Sequence, residues 1–135
     1  MGTDLRETVA QLLADLDGPA AAGAVCALAS LPEALPLVAE EFHREANGRR
    51  RESLVHCLWQ FRDPAALPTL VAALADPDNR VWKEALDGIV TLGGDAALRV
   101  LEEARAAQPA GQESSVKQEW IDEAIDQLQE SRDPG

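Results

Sequence analysis

Between Asp78 and Gly93 the apolar positions fall at Val81, Ala85, Gly88, Ile89 and Leu92, an i, i+4, i+7, i+8, i+11 spacing that places them on one stripe of an α-helix. Trp82, Leu86 and Val90 form a second apolar row beside it at i, i+4 and i+8. Turn signals interrupt the chain at Gly18-Pro19, Leu31-Pro32, Asn47-Gly48, Asp63-Pro64, Asp76-Pro77, Gly93-Gly94 and Pro109 to Gly111, spaced 12 to 17 residues apart. They predict eight short helices near residues 3–17, 19–30, 32–46, 49–61, 64–75, 78–92, 95–107 and 114–130. Ala and Leu supply 42 residues against 16 for Val, Ile and Thr, which favours helix over strand and makes the fold class all-α.

The helices repeat. Pro32-Glu33-Ala34-Leu35-Pro36-Leu37-Val38 returns as Pro64-Ala65-Ala66-Leu67-Pro68-Thr69-Leu70, with Leu35-Pro36 lying 32 positions before Leu67-Pro68. Ala65-Ala66-Leu67 returns as Ala96-Ala97-Leu98 after 31. In the second helices Glu84-Ala85-Leu86-Asp87 returns as Glu123-Ala124-Ile125-Asp126 after 39, and the excess is a loop insertion at 109–113 before the last helix. About four helical pairs follow, in a single domain over 1–135. One pair cannot cover its own apolar stripe, so neighbours must stack into a continuous core.

These motifs resemble the HEAT repeats, specifically the short HEAT-like repeats of phycobilisome-lyase-type proteins. Asp63 to Gly93 carries the resemblance best, and the likeness fades toward the first pair at 3–30. The chain departs from the pattern where an Arg usually follows the Val, here Trp82, and where an Ala is usual, here Glu84. The resemblance implies a right-handed α-solenoid whose second helices line a concave, partner-binding face.

Charge narrows the partner. With 24 acidic and 12 basic side chains the formal net charge is -12, which opposes nucleic acid and anionic membrane. Residues 1–47 and 109–135 hold most of the excess, carrying -6 and -5, as suits polar capping repeats at the ends of a stack. The longest charge-free run, Gly18 to Pro32, is too short to span a bilayer, and Met1 to Glu7 mixes charges unlike a secretory signal, so a cytoplasmic protein is expected. Ten Arg against two Lys suits a bacterial genome of high GC content. Cys26 and Cys57 lie in apolar helical stretches and read as small buried hydrophobes.

Two features are left over for function. The row Trp82, Leu86, Val90 either wedges between adjacent second helices or stands as an exposed stripe. Glu84 with Glu123 and Asp87 with Asp126 are repeat-equivalent, so stacking would align them into an acidic ridge facing a cationic partner. The candidate partner-binding residues are therefore Trp59, Trp82, Leu86, Asp87, Glu123 and Asp126. Arg49, Arg50 and Arg51 open a helix against its macrodipole and are expected to pair with Glu40, Glu41 and Glu45.

No catalytic, cofactor or metal site is expected. His43 and His56 stand in no nucleophile motif, and two Cys with two His show neither CxxC nor HxxxH spacing. The expected function is non-catalytic binding of a basic protein on the second-helix face, by a monomer or weakly self-associating chain, as an adaptor or a toxin-neutralising immunity protein. The alternative, which the resemblance brings, is an accessory or lyase-like subunit acting on a tetrapyrrole-bearing protein.

Overall fold

The computed structural model describes residues 5–16, 18–107 and 116–132, and places in them α1 (Leu5–Ala14), α2 (Ala21–Ala29), α3 (Leu35–Arg44), α4 (Gly48–Gln60), α5 (Leu67–Leu74), α6 (Asn79–Leu92), α7 (Gly94–Ala106) and α8 (Val116–Arg132). No strand occurs among these residues, and the molecule is an all-α HEAT-like solenoid. The 109–113 insertion lies outside the described residues.

Local chemistry sets the helix ends. Asn47 caps α4 by accepting from the Arg50 N–H at 3.1 Å, and Asp78 caps α6 by accepting from the Arg80 N–H at 2.9 Å. Gly93, in the left-handed region at φ 65, closes α6 by donating its N–H to Ile89 O. The helices expected at 32–46 and 64–75 each open instead with a single 3-10 turn, Pro32–Ala34 and Pro64–Ala66. Pro36 and Pro68 have no N–H to return to the residue four before, so Leu35 and Leu67 bond three back, to Pro32 O and Pro64 O.

Each odd-numbered helix packs on the even-numbered helix that follows, and α2, α4, α6 and α8 stack in chain order as one row. The apolar stripe of α6 is core as its spacing requires: Val81, Ala85 and Ile89 have no exposed surface, while Leu92 at the helix end is half-buried. Each fully buried aliphatic side chain of this kind stabilises by about 1.5–3 kcal/mol. Opposite α6, Leu54 and Leu58 of α4 and Ile121 of α8 are likewise fully buried.

The second row belongs to the same interface. Trp82 and Leu86 are 4% and 3% exposed, which corrects the exposed-stripe reading for these two residues. The physical reason is the neighbouring helix: α8 lies against α6 and sets Trp120 edge-on to Trp82, with ring centroids 5.9 Å apart. The buried Trp82 indole N–H donates to Asn79 Oδ1 at 2.9 Å.

Where α4 crosses α6 the contact requires a glycine. A Cβ on Gly88 would lie 2.6 Å from Trp59 Cδ1 and 2.8 Å from Trp59 Cβ, so the bare backbone at 88 is the seat of the Trp59 ring. The arginine cluster joins neighbouring repeats. Arg50 pairs with Glu45 at 2.9 Å as expected and also donates to Leu13 O in α1 at 3.1 Å. Arg51 does not pair within its own repeat: its Nε and Nη2 grip Asp76, in the loop before α6, at 2.8 and 3.1 Å, and its Nη1 donates to Ala46 O at 2.6 Å. Glu41 takes Arg44 at 2.8 Å and Glu40 takes Arg6 at 3.7 Å.

Candidate functional site: two grooves along the row of second helices

Two of the grooves along the row α2, α4, α6, α8 bear on function. The first, about 510 Å³, has one wall of small apolar side chains from α2, including Ala22, Val25 and Cys26, and a polar wall of Glu52, Ser53, His56 and Glu84 from α4 and α6. Cys26 is exposed here, which corrects its reading as a buried hydrophobe. The α2 core face is met by Ala24 and Leu28, and Cys26 turns away from it. Cys57 is fully buried, and that burial pushes its thiol pKa up to about 12.

The two walls meet the second groove at a hydrogen-bonded saddle. Glu84 Oε1 accepts from the Trp59 indole N–H at 2.9 Å and lies 2.6 Å from His56 Nδ1. The other ring nitrogen of His56, Nε2, lies 3.4 Å from the Gln60 side-chain amide nitrogen. Glu84 is thus spent on holding Trp59, and it drops out of the acidic ridge as a free charge. Among the described residues no hydrogen bond joins Cys26 to His56, so the shared groove does not make them a nucleophile and base.

The second groove, about 460 Å³, lies between α6 and α8 and ends on Trp59 of α4. It brings together four of the six residues singled out in the sequence: Trp59, Leu86, Asp87 and Glu123. Leu86 contributes floor, beside Val90 and Ala124. Trp59, half-buried, and Trp120, 39% exposed, contribute indole walls. Neither the Asp87 nor the Glu123 carboxylate has a hydrogen-bond or ion-pair partner among the described residues, in contrast to Glu41, Glu45, Asp76 and Asp78, which are paired. Burial, and then the neighbouring Glu84 charge, hold the Asp87 carboxyl above its usual pKa. Asp126 is exposed but lies outside this lining, and Trp82 lies at the far end of α6, near the start of α8.

Sequence reasoning missed Trp120. It faces Trp82 and carries the Lys83 ammonium 5.0 Å from its ring centroid, while Lys117 lies 5.7 Å from the Trp82 ring. The signal was available in composition, since the only two lysines of the chain both gather on this indole pair. Among the described residues no group of three or more His, Cys, Asp or Glu is placed to hold a metal ion, and no single helix is long and apolar enough to cross a membrane.

Stacked helical pairs with a grooved row of second helices define an α-solenoid of the repeat-protein class. Residues 35–118 match the family model for HEAT repeats, and the chain belongs to that family. The match begins with α3 and ends in the first turn of α8, so α1 and α2 lie before it and continue the stack through α1 on α3 and α2 on α4. No curated protein and no solved structure matches the chain. HEAT repeats generally mediate protein–protein interaction and are generally non-catalytic.

Proposed function

We propose that this chain is a binding module that takes a basic protein on its second-helix face, in the manner of an adaptor or an inhibitory immunity protein. One observation carries the reading: the groove between α6 and α8 sets two carboxylates without partners among the described residues, Asp87 and Glu123, beside two indole rings. Partial burial makes the unpaired Asp87 carboxylate unfavourable in the free protein, a cationic partner relieves it, and aromatic side chains are the usual anchors of such contacts. The formal charge of -12 adds long-range attraction for a basic partner.

The test is affinity capture from a lysate of the native organism, wild type against the Asp87→Lys, Glu123→Lys variant. Both positions are exposed, so circular dichroism should show an unchanged fold. A basic protein captured by the wild type and lost from the variant is the expected outcome; an identical captured set from both would overturn the proposal. The tetrapyrrole-directed accessory role that the sequence also suggested predicts instead an absorbance shift on titration with a free tetrapyrrole.

A further inference from the structure

We infer that the groove between α6 and α8 is an anchor pocket for one guanidinium group, so that the partner inserts an arginine there. The inference rests on the reading of this groove as the partner-binding surface, and it names what enters it.

The lining specifies the guest by exclusion. Leu86, Val90 and Ala124 offer an apolar floor, Trp59 and Trp120 offer indole walls, and Asp87 and Glu123 offer uncompensated negative charge. An apolar side chain would satisfy floor and walls but leave two carboxylates further desolvated and still unpaired. An ammonium would answer the charge and can rest on an indole, as Lys83 does on Trp120, yet it is a compact, strongly hydrated point without a planar fork for carboxylate oxygens. A guanidinium is planar and weakly hydrated, stacks on indole faces, and donates through a rigid fork that fits carboxylate oxygens.

The molecule displays both halves of this recognition, one of them on the groove's own Trp59. The Arg62 guanidinium lies 5.4 Å from the Trp59 ring centroid, and Arg51 holds the Asp76 carboxylate with two N–H donors at 2.8 and 3.1 Å. Arg62 and Lys83, the cations resting on Trp59 and Trp120, make no ion pair with Asp87 or Glu123. Each indole wall thus already carries one internal cation, and among the described residues neither of these cations reaches the Asp87 or Glu123 carboxylate.

The experiment is a titration of the full chain with Nα-acetyl-arginine methylamide, followed through the three indole N–H resonances. The lysine analogue and the citrulline analogue, a neutral isostere of arginine, serve as comparisons at matched ionic strength. The Trp59 and Trp120 signals should shift saturably, while Trp82, buried and bonded to Asn79, stays as the internal reference. Arginine should bind at least about five-fold more tightly than lysine, citrulline should give no saturable shift, and the Asp87→Asn, Glu123→Gln variant should weaken arginine about ten-fold. No saturable arginine shift, equal arginine and lysine affinities, or an unchanged variant would each overturn the anchor. If that happens while capture still depends on Asp87 and Glu123, the guanidinium assignment alone falls; if capture is also indifferent to them, the groove itself is not the binding surface.

Discussion

Replacing Gly88 by alanine adds one methyl group to the surface of α6 that Trp59 occupies. The new Cβ would meet Trp59 Cδ1, Cγ and Cβ at 2.6, 2.7 and 2.8 Å, whereas carbon atoms in contact sit roughly 3.5–4.0 Å apart. One of these atoms, Cβ, is fixed by the α4 backbone, so no side-chain rotation alone clears the overlap. Either α4 moves by about 1 Å or the indole turns out of its hydrogen bond to Glu84. Overpacking of this kind costs about 1–3 kcal/mol, and losing a hydrogen bond to a charged acceptor costs about 1.5–3 kcal/mol. Alanine returns about 1 kcal/mol of helix propensity. The net expectation is a loss of about 1 kcal/mol, or roughly 3–5 °C in Tm for a domain of this size. Thermal unfolding followed by far-ultraviolet circular dichroism measures it. Gly23→Ala is the matched control, because its Cβ would meet nothing within 4 Å, and it should stabilise by about 0.5–1 kcal/mol. A second control is Gly88→Ala in a Trp59→Gly background, where all three clashing atoms are gone and the extra penalty of the alanine should largely vanish in the double-mutant cycle. If Gly88→Ala raises Tm as Gly23→Ala does, the close approach of α4 and α6 is not what holds a glycine at this position.

Three further outcomes follow from the same geometry. A thiol reagent such as Ellman's should modify Cys26 rapidly in the native protein and reach Cys57 only on unfolding, given the burial and raised pKa of Cys57; fast reaction of both thiols in the native state would contradict the packing of α4. Arg62 is the non-glycine residue with positive φ, at 55°, so Arg62→Gly and Arg62→Ala both lose the contact over Trp59 but only glycine relieves the backbone; the glycine variant should be more stable by roughly 1 kcal/mol, and equal stabilities would argue against strain there. The Asp87 pKa is raised, so the native state holds that proton to higher pH than the unfolded chain does, and the destabilising ionisation develops as pH rises through the unfolded value of 3.8. Asp87→Asn should therefore raise stability at neutral pH by a few tenths of a kcal/mol after solvent screening, with the gain disappearing in acid; a gain independent of pH would refute the cause given.

The helices were legible because their stops are local. Asn47, Asp63, Asp78 and Gly93 do their capping within a few residues, so punctuation alone located the elements, and the second-helix stripe of Val81, Ala85 and Ile89 followed from period. What the sequence left open depends on partners far along the chain. Trp82 could be read as wedge or stripe until α8 was placed against it, and Cys26 sits in as apolar a segment as Cys57 but faces the other way. Gly88 fitted the apolar stripe, yet the reason for a glycine there lies 29 residues earlier, in Trp59. Of the candidate site, repeat equivalence found Asp87 and Glu123. It could not show that Glu84 is spent on His56 and Trp59, because that depends on how α4 and α6 sit side by side.

The grip of Arg51 on Asp76 bears on how the stack comes apart. In a one-dimensional array each unit feels only its neighbours, and the interface terms decide whether the array melts as a whole or frays from an end. Arg51 reads three places at once, the carbonyls of Glu45 and Ala46 that precede α4 and the carboxylate that precedes α6, and so couples the loop of one repeat to the loop of the next. It stands where the second helical pair meets the third. Cutting this tie, by Asp76→Ala for example, would weaken that coupling and ease opening of the α1 to α3 end before α6 and the groove it helps form.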